Sequence, residues 1–335
     1  MRVILTGVAG FMCSHVLEHL LKNTDWDVVG IASWKHKGTP ERVEEVLSTD
    51  PSWRDRVTII THDLSAPFTQ HTKKRLPYFD YFINIASDSH VDRSITDPVP
   101  FVQNNVNLML TMLELARELK PHKFLQVSTD EVYGPAPEGV FHKEWATILP
   151  SNPYSASKAM QEALAISYWR TYGVPLIITN TMNLFGPMQD PEKYIAQLIR
   201  KIYKGETVTV HGSEEKVGSR FYLNARNQAD ALLFILKNVA PVSFSDEGNI
   251  DRPSRFNIVG ETEMDNLALA KLVAKMMGKE LKYTFVDFHA TRPGHDRRYA
   301  LDGTLLKSLG WKPPHPFEYS LQTTIDWTLN HPQWL

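Results

Sequence analysis

Short runs of consecutive apolar and β-branched residues punctuate the first half of the chain, separated by stretches of helical periodicity. Val3-Ile-Leu5, Val28-Val-Gly-Ile31, Val57-Thr-Ile-Ile60, Tyr81-Phe-Ile-Asn-Ile85, Phe124-Leu-Gln-Val127 and Leu176-Ile-Ile178 lack the apolar/polar alternation of a strand with one wet face. A strand of this kind has no side to give to water, so it belongs in a parallel sheet covered on both faces. Between the runs, Val16-Leu-Glu-His-Leu-Leu21 and residues 104–117 carry apolar residues at helical spacing. Repeated βαβ order predicts an α/β fold, a Rossmann-type doubly wound parallel sheet with ligands at the carboxyl ends of its strands.

Beyond Gly186-Pro187 the pattern gives way to shorter pieces, such as Thr207-Val-Thr-Val-His211, and to loops rich in Pro and Arg. Arg255-Phe-Asn-Ile-Val-Gly260 reads as a strand returning late to the sheet. The expected organisation is therefore interleaved. Residues 1–186 plus about 225–260 form the dinucleotide-binding domain, and 187–224 plus 261–335 a smaller substrate lobe. Ser243 to Pro253 reads as a flexible surface loop. At 335 residues the chain is long enough for both parts.

Charge and composition exclude several classes of function. The formal charge is −2, so no basic field invites nucleic acid or an acidic membrane surface. No apolar run approaches the ~20 residues of a membrane span. Met1-Arg-Val-Ile-Leu-Thr-Gly7 enters a glycine turn at once, leaving no room for a signal peptide. Cys13 is the single cysteine, so no intrachain disulfide can form, and a reducing, cytoplasmic compartment is the economical reading. No metal site is expected.

Thr6-Gly7-Val-Ala-Gly10-Phe-Met-Cys13 lies between a strand and a helix, the context a dinucleotide turn requires. Gly7 permits the tight turn, and Gly10 lets the backbone approach a pyrophosphate at the helix N-terminus. Cys13 replaces the glycine usual for close helix–strand packing, so the first helix is expected to stand slightly off. The second strand ordinarily ends in an acid that binds ribose hydroxyls. Here it runs into Ala32-Ser33-Trp34-Lys35-His36-Lys37, where a hydroxyl and two lysines lean towards the 2′-phosphate of NADP+. Asp63-Leu64, after the third strand, is placed to meet the adenine edge. Phe11, Met12 and Ala86 complete the expected cofactor-binding set, which also includes Tyr154 and Lys158.

Thr129-Asp130-Glu131 follows the fifth apolar run, where the ligand rule wants chemistry, and Tyr154-Ser-Ala-Ser-Lys158 comes soon after. Tyr and Lys four apart on a helix share a face, so a Lys ammonium beside the phenol would favour its ionised form. A tyrosinate takes a hydroxyl proton while a cofactor takes the hydride. Adjacent Asp and Glu add an acid and a base able to eliminate water from the oxidised product. One geometric difficulty stands against the pair. Neighbours on an extended strand point to opposite faces, so both carboxylates reach one substrate only if the chain turns out of β geometry near Thr129.

With these residues in view the chain resembles an extended short-chain dehydrogenase/reductase, and more closely the nucleotide-sugar 4,6-dehydratases of the dTDP-glucose type. The likeness rests on Ala86-Ser-Asp-Ser-His-Val-Asp-Arg-Ser-Ile95, Val127-Ser-Thr-Asp-Glu-Val-Tyr-Gly134, Asn152-Pro-Tyr-Ser-Ala-Ser-Lys158, Pro191-Glu-Lys193 and Arg292-Pro-Gly-His-Asp-Arg-Arg-Tyr-Ala-Leu-Asp302. Gly310-Trp-Lys-Pro313 and Thr324-Ile-Asp-Trp327 fit as well. The resemblance implies that Tyr154 removes the C4 hydroxyl proton of the sugar, Thr129 holds that oxygen, and Lys158 tunes the phenol and binds the nicotinamide ribose. Glu131 would take the C5 proton and Asp130 protonate the departing C6 hydroxyl, giving a 4-keto-6-deoxy sugar with the cofactor recycled. That scheme needs pKa values pushed apart within one dry pocket. The family implies NAD+, tightly bound, against the lean of the lysines.

The resemblance also implies substrate contacts at Ser89, Asn183, Lys193, Arg220, Asn257 and Arg292, the arginines meeting a diphosphate. Arg297 and Arg298 are less closely matched, one of them expected to pack structurally. Departures gather in the same lobe. Asn227 stands where the family has an Asp, Met182 where a small polar residue is common, and His211 to Gly218 is longer than the usual loop. Trp34 and Trp145 find no place in the pattern. A homodimer through a four-helix bundle is implied, built on Leu108, Met109, Met112, Leu115, Ala163, Ile166 and Trp169. The competing readings are a same-family 4-epimerase or decarboxylase, neither of which needs the acid pair, and a non-catalytic NAD(P)-sensing protein, which would tolerate loss of Tyr154, Lys158 or Thr129.

Overall fold

The computed structural model describes residues 1–35, 37–74, 76, 78–245, 250–287 and 296–335. The apolar runs become β1 (Arg2–Thr6), β2 (Asp27–Ala32), β3 (Val57–Thr61), β4 (Tyr81–Asn84), β5 (Lys123–Thr129) and β6 (Leu176–Thr181). Between them lie α1 (Phe11–Asn23), α2 (Pro40–Thr49), α3 (Gln70–Lys74), α4 (Val91–Thr96), α5 (Pro98–Leu119) and α6 (Pro153–Tyr172). Then come β7 (Leu184–Phe185), α7 (Tyr194–Lys204), β8 (Val208–Ser213), β9 (Lys216–Val217), β10 (Ser219–Phe221), β11 (Leu223–Asn224) and α8 (Ala225–Asn238). After these follow β12 (Ser254–Ile258), β13 (Glu263–Asp265), α9 (Asn266–Met276) and β14 (Tyr283–Val286). The late strand β12 pairs with β6, giving a parallel sheet of 7 strands in the order β12-β6-β5-β4-β1-β2-β3.

The missing alternation in the sequence has a direct physical outcome. Val3, Leu5, Ile83, Leu125 and Val127 enter one core with α1 and α8, while Ile4, Phe82, Phe124 and Ile178 enter the opposite core beneath α5 and α6. Successive residues of one strand thus feed two layers, as side-chain period 2 demands of a sheet buried on both faces. Truncating a fully buried ring such as Phe82 removes about 3–5 kcal/mol.

A third apolar cluster, with Phe185, Ile199, Val208, Leu269 and Leu321, packs α7 and α9 against the short strands and the C-terminal helix Phe317–Asn330. β8 pairs with β9 and β14, and β10 with β13. The long stretch after His211 is a hairpin between β8 and β9. Ser245 and Ile250 form a bridge within the stretch read as a surface loop, and residues 246–249 lie outside the described residues. Among the described residues, no helix is long and apolar enough to cross a membrane.

Two helix starts position the site. α6 opens with a capping box in which Asn152 accepts from Ser155 N, with Pro153 in the first turn. α1 opens at Gly10 with no side-chain cap, so its first N–H groups face the cleft. The bundle expectation needs revision in its details. Leu108, Met109, Met112, Leu115 and Trp169 are buried, Ile166 packs against the same core, and all of them belong to the apolar core beneath the sheet of this chain. Ala163 faces outward, and the apolar groups left exposed on α5 and α6 include Val99 and Met160.

Candidate active site

A cleft of 370 Å³ runs along the carboxyl ends of the strands, from the α1 turn to the start of α7. Gly7 adopts φ +72, and a Cβ there would meet Ala86 Cα at 3.2 Å, so only glycine suits this approach. Cys13 is buried and its thiol donates to the Thr6 carbonyl at 3.2 Å, which seats α1 against β1. A glycine cradle beside an uncapped helix N-terminus suits a pyrophosphate. Phe11, Met12, Ser33, Lys35, Asp63, Leu64 and Ala86 line the same cleft. The residues present therefore fit a dinucleotide.

At the inner end the geometric difficulty of adjacent carboxylates resolves. β5 stops at Thr129, and Asp130–Tyr133 wind into a 3-10 turn capped by the Thr129 hydroxyl, which accepts from Glu131 N at 3.3 Å. The turn lets Thr129, Asp130 and Glu131 line one cleft with Tyr154 and Lys158. Asp130 is buried, accepts from the Thr129 hydroxyl at 3.0 Å, and leaves Oδ2 without a partner among the described residues. Burial, then the charge of Glu131, lifts its pKa to about 7. Burial also raises Glu131, but Arg220, the Asn152 amide and Lys193 oppose the rise. Two like groups thus sit in unlike settings.

The expectation of a tyrosinate maintained by Lys158 is not met in the free protein. Burial, then the charges of Glu131 and Asp130, push the Tyr154 phenol well above its ordinary value, and only the Thr129 hydrogen bond opposes them. Lys158 shares the helix face but is anchored elsewhere. Its ammonium donates to the Val127 carbonyl and to Gln161 Oε1, both at 2.8 Å, and burial lowers its pKa to about 8.

The substrate side divides. Ser89, Asn183 and Lys193 line the cleft, and Asn183 Oδ1 is buried without a partner among the described residues. Lys193 donates to the Ser89 carbonyl at 3.4 Å. Arg220 stands behind the cleft lining and donates to the carbonyls of Ser219, Arg297 and Asp296 at 2.6–2.7 Å, its charge still reaching both carboxyl groups. Asn257 is 1% exposed and spends its amide on the carbonyls of His142 and Asp302, so it ties loops together away from the cleft. Arg292 lies outside the described residues. Arg298 packs structurally, paired with Glu263 at 2.7 Å.

Among the departures, Met182 lines the cleft, and Asn227 pins the chain at His315, donating to its carbonyl at 2.7 Å. Trp145 lies elsewhere, with Arg255 stacked on its ring at 4.2 Å. Trp34 takes φ 54 in the cleft lining just after β2 and donates to Thr61 at 2.8 Å. Sequence reasoning missed Asn152 and Tyr299, each reaching Glu131 Oε2 at 3.4 Å. Both lie inside the stretches that carried the family likeness, which was the signal available.

A doubly wound sheet with a glycine cradle, a Tyr/Lys helix and a capped acid pair defines an extended short-chain dehydrogenase/reductase with added elimination chemistry. The family described as GDP-mannose 4,6 dehydratase matches residues 4–324. The chain is 33% identical to the dTDP-glucose 4,6-dehydratase of Salmonella typhimurium over 359 residues, covering 100% of this chain and 94% of that one. It is 36% identical to the low-salt glycan biosynthesis protein Agl12 of Haloferax volcanii, with 98% and 99% covered. The solved structure of a dTDP-glucose 4,6-dehydratase variant, DesIV of Streptomyces venezuelae with NAD bound, superposes with a TM-score of 0.85 at 27% identity, covering 100% and 98%. The chain belongs to this family, the nucleotide-sugar 4,6-dehydratases, and is a hydro-lyase using a nicotinamide cofactor.

Proposed function

We propose that the enzyme converts an NDP-hexose, dTDP-glucose in the first instance, to the NDP-4-keto-6-deoxyhexose. The observation that carries this reading is the joining of an oxidation pair and an elimination pair in one buried cleft, with Asp130 pushed to about 7 beside Glu131. When bound, the nicotinamide would supply a positive charge and a reversible hydride acceptor. Tyr154, ionised once positive charge is bound beside its phenol, takes the C4 hydroxyl proton, and Thr129 holds the oxygen. Lys158, kept in place by Val127 and Gln161, contributes cationic charge at the nicotinamide ribose. Glu131, steadied by Asn152 and Tyr299, removes the C5 proton that the C4 ketone has acidified and gives it back to C5 when C6 is reduced. Asp130, half protonated near neutrality, gives its proton to the leaving C6 hydroxyl, and water departs. Ser89, Asn183 and Lys193 contact the sugar nucleotide from the α7 side, while Arg220 adds positive charge from behind.

Incubation with dTDP-, UDP-, CDP- and GDP-hexoses, followed by the alkali-induced absorbance of a 4-keto sugar, tests the reading and names the base. Asp130→Asn and Glu131→Gln should each lower product formation about 10²-fold or more, while still allowing transient cofactor reduction. Undiminished turnover in both would sink the assignment, and an epimerase would behave that way.

The cofactor in this reading is NAD+, because Lys35 is paired with Asp63, and Lys37 with Glu192 and Asp190. Neither lysine is idle in the way a 2′-phosphate site needs. The interleaved division, 1–186 plus about 225–260 against 187–224 plus 261–335, goes with the reading, as does a cytoplasmic setting for a chain whose one thiol is buried. So does a homodimer through the outer faces of α5 and α6, supported by exposed Val99 and Met160. A monomeric mass in light scattering would remove the dimer.

A further inference from the structure

Arg42 lies on α2, behind the cleft lining, and is 1% exposed. Its guanidinium joins three segments far apart in sequence. Nε donates to the Met188 carbonyl at 3.0 Å, and Nη1 to the Ala9 carbonyl at 3.4 Å and to the Lys37 carbonyl. Nη2 donates to Asp190 Oδ2 at 3.1 Å. Ala9 belongs to the dinucleotide turn, Lys37 to the loop after β2, and Met188 and Asp190 to the loop entering α7. Met188 takes φ 62, and the Trp334 ring closes over the guanidinium at 5.0 Å from its centroid. A planar fork with fixed donor directions sets the relative position of every acceptor it holds, which a point-charge ammonium does not.

A second tier lies on the cleft side of the same loops. Lys37 Nζ reaches Glu192 at 3.2 Å and Asp190 at 3.7 Å, and Glu192 also meets His90 at 3.4 Å. Lys37 comes from the loop after β2 and Glu192 from the loop entering α7, and both line the cleft. The ion pair therefore joins two segments of the cleft lining.

We propose that Arg42 is a positioning residue for cofactor retention: with Asp190, and with Lys37 and Glu192 at the rim, it latches residues 188–193 across the dinucleotide loops. The proposal rests on the dinucleotide reading of the cleft. It fits the proposed reaction, because an enzyme that returns its hydride to the same sugar gains nothing by exchanging cofactor between turnovers. The buried tier sets the distance between the walls, and the exposed tier closes the rim.

The test is the release rate of NADH from the loaded protein, followed by its fluorescence after a chase with excess NAD+. Arg42→Lys keeps a cation but loses the fork, and should release NADH about 10- to 100-fold faster, since changes of this kind fall on dissociation. Asp190→Asn should give about 10-fold. Lys37→Met should give about 2- to 3-fold, and wild-type release should quicken in high salt, where exposed pairs are screened. Unchanged release in folded Arg42→Lys and Asp190→Asn overturns the latch, as does a lowered melting temperature with wild-type release, the mark of a mere brace. Should Arg42→Lys fail to fold, Asp190→Asn decides alone. A wild-type chain that binds no NADH overturns the dinucleotide reading itself, an outcome distinct from unchanged release.

Discussion

The two ends of the cleft manage charge in opposite ways. At the inner end, beside Tyr154 and Lys158, burial is the leading influence, and it moves Asp130, Glu131, Tyr154 and Lys158 each towards the neutral form. At the adenosine end pairing prevails. Lys35 draws Asp63 down to about 2, and Glu192 falls below its usual range because His90 and Lys37 outweigh its partial burial. The inner end is poised to exchange protons, whereas the outer end is an ion lattice suited to holding.

The inner end is also wired into the sheet. Thr6 donates to Asn84 at 2.7 Å, Asn84 to Gln126 at 2.7 Å, and Gln126 to Gln161 at 3.3 Å, whose oxygen receives Lys158. The same Thr6 hydroxyl accepts from Ala86 N beside the glycine turn. Buried amides satisfied in this way have one low-energy arrangement, so the position of the lysine is coupled to the dinucleotide turn. The outer end has no comparable chain among the described residues beyond the Arg42 fork.

The sharpest way to test the contrast is the pH dependence of stability. The Asp130 pKa is about 7 folded against 3.8 ordinarily. The sign follows from the raised value: the contribution of the neutral carboxyl is complete below pH ~4 and is lost as pH rises through ~7. Asp130→Asn stays neutral throughout. The variant should match the wild type near pH 4 and exceed it at pH 8 by roughly 1–3 kcal/mol in urea unfolding. An offset equal at both pH values would mean that Asp130 is solvated, and the two ends of the cleft would then be alike.

That contrast also separates what the sequence made legible from what it did not. The sheet could be read because a strand buried on both faces leaves a continuous apolar run. The late strand could be read from its aromatic and β-branched residues Phe256, Ile258 and Val259, although Arg255 and Asn257 interrupt them. The inner residues could be read because Tyr154 and Lys158 at helical spacing come with a dinucleotide turn, and because Val127 to Gly134 matches a family pattern; by spacing alone Asp130-Glu131 reads as a solvated loop pair. The 3-10 turn that reconciles the two carboxyl groups left no local signature before Gly134. Asn257 shows the limit from the other side: an amide that ties two carbonyls in the core looks, in sequence, like one that meets a ligand. Lysines 35 and 37 read as unpaired because their partners Asp63, Asp190 and Glu192 lie far along the chain. Arg42 was invisible for the same reason, its acceptors being set by tertiary packing alone.

The smallest expected effect lies at Lys35. Its side chain is 57% exposed and that of Asp63 35%, so the pair is solvated and contributes no more than ~1 kcal/mol. Lys35→Ala should lower the free energy of unfolding by less than about 1 kcal/mol, with the difference shrinking in salt. The same substitution should change NAD+ affinity by no more than about 3-fold, because the lysine spends its charge on Asp63 rather than on a ligand. A 2′-phosphate would have to enter beside that carboxylate and against its charge, so the wild type should bind NAD+ at least ~10-fold more tightly than NADP+. Fluorescence titration with both cofactors reads this directly. Tight NADP+ binding that Lys35→Ala abolishes would make the lysine a phosphate ligand, and the adenosine end would become a second ligand-reading site rather than a lattice that only holds.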